Sequence, residues 1–189
     1  MRIGVLALQG AFAEHCRVLC ALGAECVELR QRADLRALDG LVLPGGESTA
    51  QGLLLKQLDM FEPLRGEIEA GLPVLGTCAG LILLAETLTN DEARYFATLP
   101  ARVRRNAYGR QLGSFAVTAP MKGIGDVPMT FIRAPYIESA APEVEILAEV
   151  DGRIVAVQYQ NQIGLSFHPE LGADTRIHRA CLQLARGAA

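Results

Sequence analysis

Half of the 189 residues are apolar and 21% are charged, which excludes a disordered chain and calls for a buried core. A net charge of −3 at pH 7 leaves no basic face for a polyanion, and 5% aromatics with no Trp leave few stacking surfaces. Nucleic acid is therefore excluded as the principal ligand, and the length suits one domain over residues 1–189.

The opening apolar run, Ile3 to Leu8, breaks at Gln9. That is too short for a signal peptide, and no uninterrupted apolar stretch of about 18 residues follows. The expectation is a cytoplasmic chain with no membrane partner. The five cysteines, Cys16, Cys20, Cys26, Cys78 and Cys181, are odd in number and contain no C-x-x-C pair. They read as reduced thiols, argue against a zinc site, and leave no metal or cofactor expected.

Residues 2–8 read as a buried strand and 11–22 as a helix with Phe12, Cys16, Leu19 and Cys20 on one face. Glu25–Leu29 alternates as a strand, and Leu41-Val42-Leu43 forms a short apolar run before Pro44-Gly45-Gly46. Ser48 is placed to cap a helix running to about residue 57. A helix fits 61–70, a strand 73–75, and a helical run 81–86 after Gly76-Thr77-Cys78-Ala79-Gly80. Strands alternating with helices imply a parallel sheet covered on both faces, with ligands beyond the strands' carboxyl ends. Beyond residue 101 the texture turns to strands at 111–118, 129–132, 144–150, 153–159 and 162–167, with hairpin turns at Asp151-Gly152 and Gln160-Asn161. A helix over 173–186 closes the chain. The fold class is α/β: three layers, a mixed and mostly parallel sheet flanked by helices around a flavodoxin-like core.

Gly76-x-Cys78-x-Gly80 is the strongest local signal. A strand turning sharply into a helix exposes its central residue, and flanking glycines remove side chains that would clash. Cys78 at a helix start has backbone N–H groups that favour its thiolate, and the Ala79 N–H can stabilise an oxyanion. The plain reading is a small buried cysteine in a tight turn.

A nucleophilic cysteine needs a base and a group to orient it. Of the three histidines, His15 and His178 fall in helices among charged neighbours and read as partly solvated surface residues. His168 ends a strand and precedes Pro169-Glu170. In an extended segment residues two apart point the same way, so Glu170 can reach back to a ring nitrogen of His168. Pro44-Gly45-Gly46-Glu47-Ser48-Thr49 lacks the Gly-Lys-Ser/Thr of a phosphate loop. It reads either as a second oxyanion donor or as a turn before a capped helix. Arg105 and Arg133 are each suited to grip a carboxylate, or to make a surface ion pair.

Six stretches together resemble the class I glutamine amidotransferases. They are Gly-Val-Leu-Ala-Leu-Gln-Gly at 4–10, Leu-Pro-Gly-Gly-Glu-Ser-Thr at 43–49, Gly-Thr-Cys-Ala-Gly at 76–80, Arg-Asn-Ala-Tyr-Gly-Arg-Gln at 105–111, Phe-Ile-Arg-Ala-Pro at 131–135 and Phe-His-Pro-Glu-Leu at 167–171. Those at 43–49, 105–111 and 131–135 are similar to the vitamin B6 branch, the glutaminase subunits of pyridoxal 5′-phosphate synthases. One departure is Gly172, where that branch has a threonine.

The resemblance implies hydrolysis of L-glutamine to glutamate and ammonia by Cys78, His168 and Glu170. It implies oxyanion donors at Ala79 and the Gly45-Gly46 loop, and glutamine contacts at Gly46, Glu47, Ser48, Arg105, Ile132 and Arg133. It further implies a (β/α)8-barrel synthase partner that receives the ammonia in a complex of twelve plus twelve subunits. In that branch docking orders the oxyanion loop, and Gln9-Gly10 with the helix after it is expected at the contact. The competing readings are a glutaminase serving another synthase, such as imidazole glycerol phosphate synthase, or a non-catalytic binding or regulatory homologue.

Overall fold

A computed structural model of the chain describes residues 1–106 and 114–187. The elements run β1 (Arg2–Leu6), α1 (Phe12–Ala21), β2 (Glu25–Leu29), β3 (Gly40–Leu43), α2 (Ser48–Gln57), α3 (Phe61–Glu69), β4 (Val74–Thr77), α4 (Ala79–Leu84) and β5 (Ala85–Leu88). They continue β6 (Leu99–Arg104), β7 (Ser114–Met121), β8 (Gly125–Ile132), β9 (Tyr136–Ala140), β10 (Glu145–Val150), β11 (Arg153–Tyr159), β12 (Gln162–Leu165) and α5 (Arg176–Gly187). Short 3-10 turns cover Arg32–Asp34 and Pro169–Leu171.

The main sheet has strand order β2-β1-β3-β4-β12-β11-β9-β6-β5, with β10 paired to β11. From β2 to β12 every pairing is parallel; β12–β11, β11–β9 and β9–β6 are antiparallel. The expected mixed, mostly parallel sheet is what forms. Alternation along each strand splits the core in two. Ile3, Val5, Val42 and Leu75 face a cluster with Leu19 of α1 and Ile177, Cys181 and Leu182 of α5. Their neighbours Leu6, Leu41, Leu43 and Val74 face Leu55 of α2, Phe61, Leu64 and Ile68 of α3, and the leucines of α4. The separate β7–β8 hairpin packs onto the first cluster through Met129 and Phe131, whose ring stacks on Phe115 at 4.5 Å.

α4 is apolar all round, and Leu81, Leu83 and Leu84 have no exposed surface. Burying each contributes about 1.5–3 kcal/mol, so the turn before α4 is anchored firmly. The expected helix over 81–86 ends at Leu84 instead, where Ala85 turns extended (φ −54°, ψ 136°) and starts β5 against β6. Neither β6 nor β9 was expected. β6 alternates cleanly, with Leu99, Ala101 and Val103 buried, but Pro100, Arg102 and Arg104 mask the pattern. The closing helix begins at Arg176 rather than 173, because the Asp174 carboxylate accepts the Arg176 N–H at 3.0 Å and fixes the start there. Asp151-Gly152 does make the β10–β11 hairpin, with both residues left-handed (φ 50° and 70°). Positions 111–113 of the strand expected over 111–118 lie outside the described residues.

Candidate active site

The adjacent parallel strands β1, β3, β4 and β12 end side by side. Their carboxyl ends run into Gln9-Gly10, Pro44–Glu47, Cys78 and His168 respectively. Ligand sites in open α/β sheets form at such ends. Here a cavity of about 280 Å³ is lined by Gln9, Gly45, Gly46, Glu47, Ser48, Cys78, Arg105, Ile132, Arg133 and His168.

Cys78 sits at the β4–α4 junction with φ 49° and ψ −100°, a conformation that costs a non-glycine residue of order 1–3 kcal/mol. Its N–H is tied to the Leu165 carbonyl at 2.8 Å, so the turn is held from both strands. Gly80 is required by contact: a Cβ there would lie 1.9 Å from the Leu43 carbonyl oxygen. The Ala79 N–H is the first of the helix donors that lack an intrahelical acceptor.

His168 is buried, with its N–H bonded to the Thr130 carbonyl at 2.8 Å. Its Nδ1 donates to Glu170 Oε1 at 2.7 Å. The expected pairing is present, but the backbone between them is the Pro169–Leu171 3-10 turn, not an extended segment. Pro169 opens that turn with its fixed φ. Burial disfavours the imidazolium, yet hydrogen bonds with Cys78 and Glu170 outweigh it and raise His168 from 6.5 to about 10. A charged His168 between the Cys78 sulfur and the Glu170 carboxylate is therefore the state the geometry favours.

The loop after β3 lies directly under this ring. A Cβ on Gly45 would stand 2.3 Å from His168 Cε1, so only glycine lets the loop approach. The Gly45 carbonyl accepts the Ala11 N–H at 3.0 Å, and Gln9 Oε1 accepts the Glu47 N–H at 2.7 Å. Gln51 Nε2 donates to the carbonyls of Gln9 and Pro44 at 3.0 and 3.2 Å. Glu47, not Ser48, caps α2: its carboxylate accepts the Thr49 N–H, while Ser48 is the first helical residue. Ser48 Oγ is buried at the cavity without a partner among the described residues.

Arg105 crosses the mouth. Its guanidinium pairs with Glu47 at 3.0 Å and with Asp91, and touches Thr49 Oγ1 at 3.3 Å. Ile132 and Arg133 follow β8; the Ile132 carbonyl is 4.0 Å from Cys78 Sγ, and Arg133 is left-handed (φ 43°). The sequence-selected site residues thus line one cavity, except Ala79, which follows Cys78 at the start of α4, and Glu170, which reaches the site through His168. Positions 107–111 of the 105–111 stretch lie outside the described residues.

Two histidines contradict the surface reading. His15 and His178 have no exposed surface, and their rings meet at 3.0 Å between Nδ1 and Nε2. The signal was helical spacing: His15 is four residues before buried Leu19, and His178 four before buried Leu182. Gln51 was also missed, a polar residue on the buried face that includes Ser48, Gly52 and Leu55. Thr49 and Asp91 carry no motif that marks them as partners of Arg105.

Among the described residues no helix is long and apolar enough to cross a membrane. The chain matches the SNO glutamine amidotransferase family over residues 5–184. It is 67% identical to "Pyridoxal 5′-phosphate synthase subunit PdxT" of Desulfitobacterium hafniense, covering 99% of this chain and 94% of that one. It is 53% identical to the protein of that name from Streptococcus pneumoniae, covering 98% of each chain. A crystal structure of a glutamine amidotransferase superposes with TM-score 0.93 at 41% identity, covering 97% of this chain and 98% of that one. Another glutamine amidotransferase, from Thermotoga maritima, shares the fold at TM-score 0.64 and 16% identity, covering 100% of this chain and 85% of that one. The match over residues 5–184 and the identity to these relatives over nearly the full length settle the family: this chain belongs to the SNO glutamine amidotransferase family.

Proposed function

We propose that the chain is the glutaminase subunit of a pyridoxal 5′-phosphate synthase, acting as a single amidotransferase domain over residues 1–189. The names of its relatives support this, and one observation carries the chemistry. A left-handed Cys78 at a helix start shares a cavity with a His168 that is bonded to Glu170.

Cys78 Sγ, whose proton His168 holds, attacks the side-chain amide carbon of L-glutamine, and the carbonyl π electrons move to oxygen. The oxyanion is held by the Ala79 N–H and an N–H of the Gly45-Gly46 loop. His168 gives its proton to the departing nitrogen, the C–N bond breaks, and ammonia leaves a thioester on Cys78. His168 then takes a proton from water, whose oxygen attacks the thioester and releases glutamate. Glu170 keeps the imidazole aligned throughout.

For the amino-acid end of the substrate, Arg105 and Arg133 offer guanidinium forks to the α-carboxylate, and Glu47 offers a carboxylate to the α-ammonium. Gly46, Ser48 and Ile132 complete the walls. The polar lining and small volume suit one amino acid. Ammonia becomes ammonium in bulk water, so the reading includes a synthase partner that receives it directly. That partner is a (β/α)8 barrel in a twelve-plus-twelve assembly, met through Gln9-Gly10 and α1, in the cytoplasm.

The test is glutamate release with and without the purified synthase. Activity is expected only with the synthase present, and it disappears in Cys78→Ala. Turnover persisting in Cys78→Ala rejects the mechanism.

A further inference from the structure

His168 Nδ1 uses one oxygen of Glu170. The other, Oε2, is fully buried and makes no hydrogen bond of good geometry among the described residues. His15 Nε2, from α1, stands 3.3 Å from it. The same nitrogen lies 3.3 Å from Thr77 Oγ1, on the residue that precedes Cys78. Behind His15, its Nδ1 meets His178 Nε2 of α5 at 3.0 Å. Cys78, His168, Glu170, His15 and His178 therefore form one axis running from the cavity into the core. The last two have no role in the steps above.

The tautomers along this axis are determined. An ionised carboxylate cannot face an imidazole lone pair at 3.3 Å in a site with no water-exposed surface. His15 must carry its proton on Nε2, where the N–H serves Thr77 Oγ1 and sets its positive end 3.3 Å from Glu170 Oε2. Its Nδ1 is then an acceptor, and His178 Nε2–H is the donor. Burial, and then the charges His178 and His168 would carry, hold His15 well below the usual histidine range. Burial also holds His178 at about 4. Both are neutral at pH 7, as this pattern requires.

We infer that His15 is a positioning residue for the reaction: its Nε2–H stands against the buried Oε2 of Glu170 and keeps that carboxylate aligned on His168. His178 fixes the required His15 tautomer from behind. An apolar side chain would fill the core here at lower desolvation cost, so the polar pair needs a function. Without the His15 donor the Glu170 carboxylate is less firmly held against His168. The His168 imidazolium then loses support, and with it the pairing that the ring makes with the Cys78 sulfur.

The inference rests on Cys78, His168 and Glu170 being the reacting centre, so its test needs a readout besides turnover. Two amides separate the two ring nitrogens. The His15→Asn amide reaches the Nδ1 position but not Nε2, whereas the His15→Gln amide reaches Nε2. Glutaminase kinetics are measured with the synthase present. Cys78 alkylation by iodoacetamide is followed against pH by peptide mass spectrometry, on chains whose melting curves show them folded. In His15→Asn, kcat is expected to fall ~10-fold with KM within ~2-fold, and the acid limb of Cys78 alkylation to rise by ~0.5–1 pH unit. His15→Gln is expected to return both toward wild type. His15→Asn behaving as wild type, or His15→Gln falling as far as His15→Asn, overturns the inference. The imidazole 15N spectrum of the wild-type chain decides independently of any variant. Neutral His15 protonated on Nε2 supports the assignment, and protonation on Nδ1 overturns it. A wild-type chain that alkylates and titrates as described but never hydrolyses glutamine would reject the functional reading alone.

Discussion

Gln9 Oε1 accepts the backbone N–H of Glu47 at 2.7 Å, joining the loop after β1 to the loop after β3. Gln51 closes the bracket by donating to the Gln9 carbonyl at 3.0 Å. The Gly45-Gly46 peptides proposed to hold the oxyanion are therefore positioned by an acceptor 38 residues away in sequence. Gln9→Ala removes that acceptor, and the loss of one such bond, about 1 kcal/mol, predicts a ~5-fold fall in kcat/KM for glutamine. Gln9→Glu keeps an oxygen toward Glu47 N–H and should retain more activity than Gln9→Ala. Equal losses in the two variants, measured by glutamate release with the synthase present, would show that the bond to Glu47 is not what Gln9 supplies.

Arg105 engages Glu47 and Asp91 together, with only 16% of its side chain exposed. A planar fork can hold both and still present an edge to a substrate carboxylate; an ammonium cannot. Arg105→Lys keeps the charge and loses the fork. KM should rise ~10-fold or more while kcat stays within ~2-fold, the pattern of an interaction equal in ground and transition states. A fall in kcat at unchanged KM would move Arg105 from binding to loop positioning.

Much of this site was legible because its residues lie in short contiguous stretches at strand ends. Cys78 and His168 follow apolar runs and are flanked by Gly and Pro, whose backbone effects can be read one residue at a time. The bracket around the loop was not legible, because Gln51 and Gln9 are ordinary polar residues whose role depends on β1 and β3 being neighbours. His15 and His178 were misread for a related reason. Charged residues beside them in sequence suggested solvent, yet the helix turns those neighbours outward and the histidines into the core. β6 and β9 went unseen because their pairing with each other, not local propensity, makes them strands.

The buried histidines have a thermodynamic consequence. Burial holds His178 at about 4 instead of 6.5. Between those values the unfolded chain binds a proton that the folded chain refuses, so stability falls as pH falls through this window. His178 alone accounts for about 3 kcal/mol, and His15 acts in the same direction. His168 does not contribute to that slope: raised to about 10, it stabilises fully below 6.5 and loses its contribution only as pH rises toward 10. Asp34, Asp91 and Asp174 are held below the carboxylate range by hydrogen bonds and act at still lower pH. Urea midpoints should drop steadily from pH 7 to pH 5, and His178→Phe should flatten that slope. A wild-type midpoint constant over this range would contradict neutral, buried histidines.

Gly45 is where the loop and the base compete for space. An alanine Cβ there would lie 2.3 Å from His168 Cε1 and 2.9 Å from Nδ1, closer than real Cβ contacts come. Something must move. The loop is fixed by the Ala11 N–H at 3.0 Å, and Gly10 packs so closely that a Cβ on it would lie 1.9 Å from the Gly45 oxygen. The imidazole borders the cavity and is free to swing into it, away from Glu170. Gly45 itself has no left-handed φ, so alanine brings no backbone strain of that kind. Gly45→Ala should therefore remain folded, with a melting temperature within a few degrees of wild type, but lose the alignment of Cys78, His168 and Glu170. A misplacement of about 1 Å at the reacting centre predicts a ~10²-fold fall in kcat. The pH dependence of Cys78 alkylation should change at the same time, because the imidazolium no longer pairs with the sulfur. Wild-type kcat in a folded Gly45→Ala chain would mean that the loop yields instead of the ring, and that the Gly45–His168 contact does not set the geometry of catalysis.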